Sequence, residues 1–431
     1  MRKKIIPRIL LLSLLYILIF IIIVAIQFPV KNRADDGIIE DTSFNPRDFT
    51  IQQFQNSRDF IAAVSRWQDG NFIAWNRLIS QQNDEDLVLA FAEESLNRSS
   101  YGAALTAIPA AFRNGNRRTY LSSVFLGQLS QTYRSLVTAD QEMLNLLNKQ
   151  LQEKSPDFLL EPDIFDFMVS RGLASQFNQA ISLVKSMAPE SVTLELCPAI
   201  FRWDMEFSDS DIENPFSHLI ESAFQAVSES VRMNSDRNKV FAVSGESIDT
   251  VFNLRLGKEL LGWAEIRKND PWIALARSII VSVLTLENYT GYIRAEYGIT
   301  AEGEIREIPS STANSTAKYY RILGLGEYSP RAVVLSSGDS HIWAWTAGRI
   351  GFSNANNIMD ISVNFPVNET HYMIIRGVKP FTKIQLYNMD YRSDPQFERY
   401  DSSGWSYIAA EQILLVKMKH KAEDEHIRIF Y

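Results

Sequence analysis

Two short segments place carboxyl groups close together in the sequence. One holds Asp163 and Asp166, and the other holds Asp204 and Glu206. Glycoside hydrolysis needs two such groups, ~5–5.5 Å apart for retention of configuration or ~6.5–9.5 Å apart for inversion. Because Trp203 adds a ring face on which a sugar can stack, Asp204 and Glu206 are the better catalytic candidates. The alternative is that these acids are solvated or cap helices, as acidic residues at helix starts usually do.

A second set of candidates lies in the C-terminal part. His341, Trp343 and Trp345 alternate along a strand-like stretch, so their side chains share one face. On an exposed face they would form an aromatic platform for sugar rings or for a protein partner. On a buried face they would be core residues, which is the usual role of tryptophan. The candidate ligand-binding residues are these three and Trp203.

The remaining reactive residue types lack the spacing of a known kind of site. His218, His371, His420 and His426 show no His-x-x-x-His pattern with an acidic partner. The glycines at 324 and 326 lack the Lys-Ser/Thr that follows a phosphate-binding loop. No Gly-x-Ser-x-Gly elbow of a hydrolase surrounds the serines at 336 and 337. We therefore expect no cofactor and no metal.

The N-terminus has the pattern of a membrane anchor. Four basic residues lie within residues 2–8, and residues 9–28 are uncharged and apolar up to Pro29. A helix of this length spans ~30 Å, the thickness of the hydrocarbon core of a bilayer. The run is longer than a signal-peptide core and lacks a small-x-small cleavage site, so a retained anchor is favoured over a cleaved signal peptide. The basic residues predict a cytoplasmic N-terminus.

The amino-acid composition limits which cellular compartments and which partners are expected. The net charge is −8, which argues against nucleic acid as a partner. Cys197 is the only cysteine, so an intramolecular disulfide is impossible. A large extracytoplasmic body without disulfides is typical of bacteria. We expect a single-pass protein of the bacterial inner membrane whose body is periplasmic or otherwise extracytoplasmic.

The chain divides into segments with different sequence patterns. Residues 1–30 are predicted to be a cytoplasmic tip and a transmembrane anchor, and residues 31–50 a polar tether. Residues 51–295 carry helical periodicity, which predicts an all-α array of helical hairpins or a partial α/α toroid. The exception is 239–246, where a strand and a turn predict either a small hairpin beside a cleft or an ordinary loop. The predicted helices include 120–136, 140–153, 177–187, 215–232, 254–265 and 272–286.

Residues 296–431 carry short alternating segments separated by clusters of Gly, Pro, Asn and Asp. This spacing predicts an antiparallel β-sandwich. Because the strands follow the helices and do not alternate with them, the fold class is α+β with separate layers or domains. The predicted strands are 332–335, 341–345, 359–365, 370–376, 382–386, 405–408, 413–418 and 426–431.

Parts of the chain resemble known families. The segments 254–265, 270–278 and 290–293 resemble a helix pair of the α/α-toroid (six-hairpin) glycosidases and polysaccharide lyases. The segments 372–386, 400–401, 405–407 and 413–419 resemble the accessory β-sandwich that ends many glycoside hydrolases. The soluble chain as a whole resembles uncharacterised membrane-anchored envelope proteins of spirochaete type, which implies no activity. No catalytic motif of a glycosidase family matches.

These observations favour a membrane-tethered envelope protein that binds a glycan or another envelope protein without catalysis. A carbohydrate-active enzyme, either a glycosidase or a lyase with a toroid core, is the first alternative. A structural scaffold is the second.

Overall fold

Helices form the N-terminal and middle parts of the chain, and antiparallel sheets form the C-terminal part. The computed structural model describes residues 44–82, 84–108, 112, 118–208, 210, 212–288, 291–337 and 341–431. The helices are α1 (Ser57–Leu78), α2 (Glu85–Asn97), α3 (Tyr101–Ala104), α4 (Tyr120–Leu126), α5 (Leu129–Glu153), α6 (Ile164–Ser170), α7 (Ala174–Lys185), α8 (Cys197–Ser208), α9 (Ile220–Ser230), α10 (Thr250–Arg267), α11 (Asp270–Leu284) and α12 (Thr316–Leu323). Short 3₁₀ helices lie at Pro46–Phe49, Gln52–Gln55, Pro156–Leu160, Pro189–Ser191, Leu194–Leu196, Ser217–Leu219 and Phe397–Arg399.

The strands form two large sheets and three small ones within the described ranges. The large sheets have the orders β10-β11-β17-β13-β14 and β15-β16-β12-β9-β8, and the small ones are β1-β2, β3-β5-β6 and β4-β7. All of their pairs are antiparallel. The strands are β1 (Val231–Met233), β2 (Val240–Ala242), β3 (Ser247–Asp249), β4 (Tyr292–Arg294), β5 (Glu296–Ile299), β6 (Ile305–Glu307), β7 (Ala313–Ser315), β8 (Arg331–Ser337), β9 (His341–Thr346), β10 (Arg349–Ala355), β11 (Ile358–Asn364), β12 (Thr370–Arg376), β13 (Lys383–Leu386), β14 (Met389–Tyr391), β15 (Gly404–Ile408), β16 (Ile413–Lys419) and β17 (Asp424–Phe430).

Local sequence explains where several helices begin. Asp84 accepts a hydrogen bond from the backbone N–H of Asp86 before α2, and Asp249 accepts one from the backbone N–H of Phe252 at the start of α10. These side chains satisfy N–H groups that have no partner within the helix. Pro271 occupies the first turn of α11, where a missing N–H costs nothing.

The helical part has its own hydrophobic core. Helix α2 is buried from Leu87 to Leu96 and packs against α1 and α12. The ring of Trp75 meets the ring of Tyr320 edge-on at 5.2 Å, and its Nε1 donates to Thr316 Oγ1 at 2.9 Å. Residues 316–323, although they follow the first C-terminal strands, are therefore packed on the helices.

The two large sheets share a second core. Residues at alternate positions of their strands, such as Ile361 and Val363 on β11 and Leu414 and Val416 on β16, belong to one buried cluster. This arrangement follows from the period of two in the side-chain direction of a strand, which turns every second residue to the same face. The opposite face of the second sheet contributes Trp343, Ile374 and Leu415 to a cluster with α5.

Residues 45–431 form one compact unit. Among the described residues, no helix combines the length and the apolar character needed to cross a bilayer. The predicted anchor at 9–28 lies outside the described residues, as does most of the predicted tether at 31–50. The predicted domain boundary between residues 295 and 296 stays a prediction.

Candidate functional site

Asp204 and Glu206 lie on helix α8 but do not face each other. Asp204 is 1% exposed and accepts hydrogen bonds from Trp263 Nε1 at 2.8 Å, Asn214 Nδ2 at 2.8 Å and Arg267 at 3.1 Å. Glu206 is exposed, because residues two positions apart on a helix point in different directions. Asp204 thus holds helices α8 and α10 together. Its predicted catalytic role, shared with Glu206, stays a prediction.

Trp203 is buried in an aromatic cluster. Its exposed fraction is 3%, its ring centre lies 4.8 Å from that of Phe165, and the guanidinium of Arg202 stacks on it at 4.6 Å. The faces of this ring are in contact with other side chains of the protein. We therefore assign Trp203 to packing in this structure, and sugar stacking by it remains untested.

Asp163 and Asp166 are brought together by one cation. Arg202 forms ion pairs with Asp163 at 2.7 Å and with Asp166 at 2.6 Å, and it also donates to the carbonyl of Pro162 at 2.8 Å. Burial raises the pKa of Asp166, and the charge of Arg202 partly offsets this effect. The carboxyl groups therefore anchor a guanidinium, which leaves Arg202 few free donors.

The aromatic stretch of β9 faces the helices. Trp343 is 4% exposed, and the guanidinium of Arg171 lies 3.7 Å from its ring centre. The ring of His341 meets the carbonyl of Ser170 at 2.8 Å through Nε2, while Trp345 Nε1 donates to the carbonyl of Tyr120 at 3.2 Å. The three side chains do share one face, and in this structure helices α4 to α6 contact that face. Ligand binding by these residues stays a prediction.

The described residues form an amphipathic cleft between helices α8 and α10. Its volume is about 490 Å³, within the range of ligand sites in proteins. The turn after β2 borders it with Ser244 and Ser247, so the strand and turn predicted at 239–246 lie beside this cleft. The lining residues are Leu159, Leu160, Pro162, Leu194, Glu195, Pro198, Ala199, Arg202, Ala242, Ser244, Ser247, Asp249, Val251, Phe252, Arg255, Glu259 and Glu296.

One wall of this cleft is a stripe of α10. Val251, Phe252, Arg255 and Glu259 recur at intervals of three and four residues, which places them on one side of the helix. Across the cleft, Leu160 is 46% exposed and presents an apolar surface. The cleft therefore offers apolar contact together with charged groups.

The charges in the cleft are unevenly satisfied. Glu259 is 14% exposed at its side chain and lies 3.6 Å from Lys258, and burial raises its pKa. Asp249 and Glu296 are directly opposite each other on β3 and β5, an arrangement that is unfavourable for like charges. Arg255 is partly buried, and its side chain forms no hydrogen bond or ion pair with any residue that the structure describes.

A second cleft of about 440 Å³ is more polar and lies between α2 and the end of β11. Asn97, Asn364 and Glu369 line it, together with the ring of Tyr328, which meets Phe365 edge-on at 5.3 Å. Amide and carboxylate groups beside an aromatic ring provide donors and acceptors for a hydroxylated ligand.

No three His, Cys, Asp or Glu side chains within the described ranges are placed to hold a metal ion. His371 and His420 are both 1% exposed, and their rings meet at 5.9 Å inside the protein. His371 Nδ1 and His420 Nε2 have no hydrogen-bond partner among the described residues. Burial lowers the pKa of both rings.

Sequence reasoning missed Arg255, Phe252 and Leu160 as candidates. Their common cleft is built from segments as far apart in the sequence as Leu159 and Glu296, so no local spacing identifies it. The one sequence feature that pointed towards this cleft was the predicted strand and turn at 239–246. In comparison with known proteins, the chain matches no protein-family model, and no curated protein matches it.

Proposed function

We propose that this chain is a membrane-tethered, non-catalytic protein of the bacterial cell envelope that binds a polypeptide segment of another envelope protein in the cleft between α8 and α10. The observation that carries the proposal is the composition of that cleft. Leu160, Val251 and Phe252 provide apolar contact, and charged groups border them. A polypeptide segment carries apolar and charged groups side by side and can match both.

The amphipathic cleft favours a polypeptide over a sugar as its ligand. Phe252 is the only aromatic residue among its lining residues. Two of the three tryptophans proposed for stacking, Trp203 and Trp343, are 3% and 4% exposed. A sugar would thus find one ring there, whereas apolar side chains of a peptide could contact Leu160, Val251 and Phe252.

An enzyme remains the first alternative, because the soluble part contains several carboxylates near a cleft. Glycoside hydrolysis requires a free carboxylate beside a protonated carboxyl group. Asp163 and Asp166 both bind Arg202, and Asp204 binds Arg267. Carboxylates held in such ion pairs are suited to positioning the arginine side chains and are poorly suited to transferring a proton to a substrate. A scaffold without a ligand is the second alternative and predicts that neither cleft binds anything.

The test uses the full chain in lipid nanodiscs and a display library of random peptides. Enriched peptides are synthesised, and their affinity is measured by fluorescence anisotropy. The matched pair of variants is Ser244→Trp, which fills the cleft from an exposed position on the turn, and Ser353→Trp on the exposed strand β10. We expect Ser244→Trp to weaken binding at least roughly tenfold and Ser353→Trp to leave it unchanged. Equal binding by both variants, or no enrichment over empty nanodiscs, contradicts the proposal.

A second candidate is glycan binding at the polar cleft, favoured by Tyr328 with Asn97 and Asn364 around it. A glycan array probed with the same nanodiscs separates the two. Binding that Tyr328→Ala abolishes and Ser244→Trp leaves intact would assign the glycan to the polar cleft. Absence of any bound glycan removes this candidate.

A further inference from the structure

Arg255 differs from Arg202 and Arg267, on the same two helices, in having no side-chain partner among the described residues. Arg202 binds Asp163 and Asp166, and Arg267 binds Asp204. Arg255 lines the amphipathic cleft from the middle of its α10 wall, yet no described carboxylate lies within ion-pair distance of it. A partly buried guanidinium without a partner has lost part of its hydration without gaining a hydrogen bond. A ligand that supplies the missing acceptor relieves this cost.

We infer that Arg255 binds the carboxylate of an aspartate or glutamate side chain in the partner segment, next to an apolar residue that packs on Leu160 and Phe252. This inference rests on the proposed function of the cleft. A planar guanidinium can donate two parallel hydrogen bonds to a carboxylate, which fixes both its distance and its orientation. Val251 and Phe252 lie one turn before Arg255 on the same side of α10, so the apolar and the charged contact are neighbours.

The other charges of the cleft restrict the anion. Glu195, Asp249, Glu259 and Glu296 also line it. They repel a doubly charged phosphate more strongly than a singly charged carboxylate, since Coulomb energy scales with charge. The unfavourable pair of Asp249 and Glu296 at the edge is also compatible with a basic residue elsewhere in the same segment. The favoured partner is thus a segment of mixed charge with one essential acidic side chain.

The experiment reverses the charge of the cleft and observes whether the ligand preference reverses. Random peptides with blocked C-termini are displayed against the full chain in nanodiscs, so that a terminal carboxylate cannot substitute for a side chain. The wild type is expected to enrich Asp or Glu at one position beside an apolar residue. Arg255→Glu is expected to enrich Lys or Arg at that position. The control variant is Arg306→Glu, because Arg306 is exposed and does not line the cleft.

A second variant keeps the inference testable if charge reversal destabilises α10. Arg255→Gln should bind the best wild-type peptide roughly 10- to 100-fold more weakly than the wild-type protein does. For the same peptide with Asp→Asn or Glu→Gln, the variant and the wild-type protein should have nearly equal affinities. Peptides that bind in the cleft without an acidic preference, or whose preference Arg255→Glu leaves unchanged, overturn this inference and leave the proposed function standing. The absence of any peptide that Ser244→Trp excludes overturns both.

Discussion

At the scale of single residues, Asp204 shows how burial changes the meaning of a carboxylate. It lies two positions from exposed Glu206, but it accepts hydrogen bonds from Asn214, Trp263 and Arg267, and the contacts with Trp263 and Arg267, the latter also an ion pair, join α8 to α10. Removing one member of a buried ion pair destabilises a protein, because the remaining charge is left buried without a partner. A carboxylate in this helix therefore has a structural role at position 204 and is exposed to solvent at position 206.

We expect Asp204→Ala to lower the free energy of unfolding by about 3 kcal/mol, because it leaves Arg267 and the Trp263 N–H without their acceptor. Glu206→Ala, the matched control on the same helix, should change it by less than about 0.5 kcal/mol. Urea unfolding followed by circular dichroism measures both. A stable Asp204→Ala variant would show that the ion pair contributes little and would revive its catalytic interpretation.

Glu93 is the buried acid for which the sign of the pH dependence is clearest. Its side chain is 0% exposed, one carboxylate oxygen accepts from Ser329 Oγ at 2.9 Å, and the other has no partner among the described residues. Burial raises its pKa from 4.5 to about 7. Because the folded pKa exceeds the unfolded value, its contribution to stability is fully present below pH 4.5 and is lost as the pH rises to about 7.

Glu93→Gln should therefore gain stability relative to the wild type as the pH is raised from 5 to 8, by roughly 2.5 kcal/mol. Glutamine keeps an acceptor for Ser329 and cannot ionise. The control is Glu190→Gln at an exposed position. Urea unfolding at the two pH values gives the difference. If the two variants show the same pH dependence, Glu93 does not titrate in this range.

At the scale of elements, helix α5 depends on a cap from the other end of the chain. Glu398 accepts from the backbone N–H of Leu129 at 2.8 Å and from that of Ser130 at 3.1 Å. Gln128, which precedes the helix, provides no side-chain cap. The helix N-terminus carries partial positive charge, so a carboxylate there both satisfies donors and interacts favourably with the dipole.

Glu398→Ala is expected to lower the free energy of unfolding by about 1–2 kcal/mol and to increase amide hydrogen exchange at the first turn of α5. Glu142→Ala, at an exposed position in the same helix, is the control and should leave exchange at that turn unchanged. If the first turn of α5 exchanges at the same rate in the wild type and in both variants, water satisfies the N–H groups of this helix end as well as Glu398 does.

Elements were predictable where one face of a strand is buried. The predicted strand 370–376 has the bounds of β12, and the prediction 359–365 differs from β11 by one residue at each end. Strand β10 was missed because its residues are mostly exposed and contain Gly351 and Asn354, so it has no alternation. It forms because all of its residues pair with β11.

Helix boundaries were harder to predict. The expected helix 120–136 is broken at Gly127 and Gln128, both of which have positive φ, and the helix then continues from Leu129 to Glu153 through the expected break near 137–139. A Cβ at position 127 would lie 2.8 Å from the ring of Tyr372 on β12. A larger side chain at this position would therefore clash with Tyr372, and local sequence does not encode this tertiary contact. The amphipathic cleft was unpredictable for the same reason, because residues such as Leu160 and Arg255 meet only in the folded chain.

At the scale of the whole molecule, a polar network links the helices to the sheet behind them. Asp140 on α5 binds Arg171 at 2.8 Å and Arg376 on β12 at 2.9 Å, and Arg171 stacks on Trp343. Since these charges are largely buried, removal of one member would leave the others unpaired. Trp343, which the sequence predicted as part of an aromatic platform, thus helps to join the helices to the second large sheet.

The predicted orientation of this body relative to a membrane can be tested with its own chemistry. Cys197 is 0% exposed, and burial raises its pKa to about 12, so the only native thiol should be inert at neutral pH. Ser353→Cys adds a thiol at an exposed position of β10. In intact bacterial spheroplasts, a membrane-impermeant maleimide should label Ser353→Cys and leave the parent chain unlabelled, because the basic residues before the predicted anchor are expected to keep the N-terminus in the cytoplasm.

The control replaces the four basic residues at 2, 3, 4 and 8 with serine in the Ser353→Cys background. This change removes the charge bias that is predicted to set the orientation, so labelling in intact spheroplasts should fall while labelling after lysis stays the same. Labelling of Ser353→Cys only after lysis would place the body in the cytoplasm. The cleft between α8 and α10 would then have to bind a cytoplasmic segment, and the envelope part of the proposed function would be wrong, although peptide binding itself would still be testable.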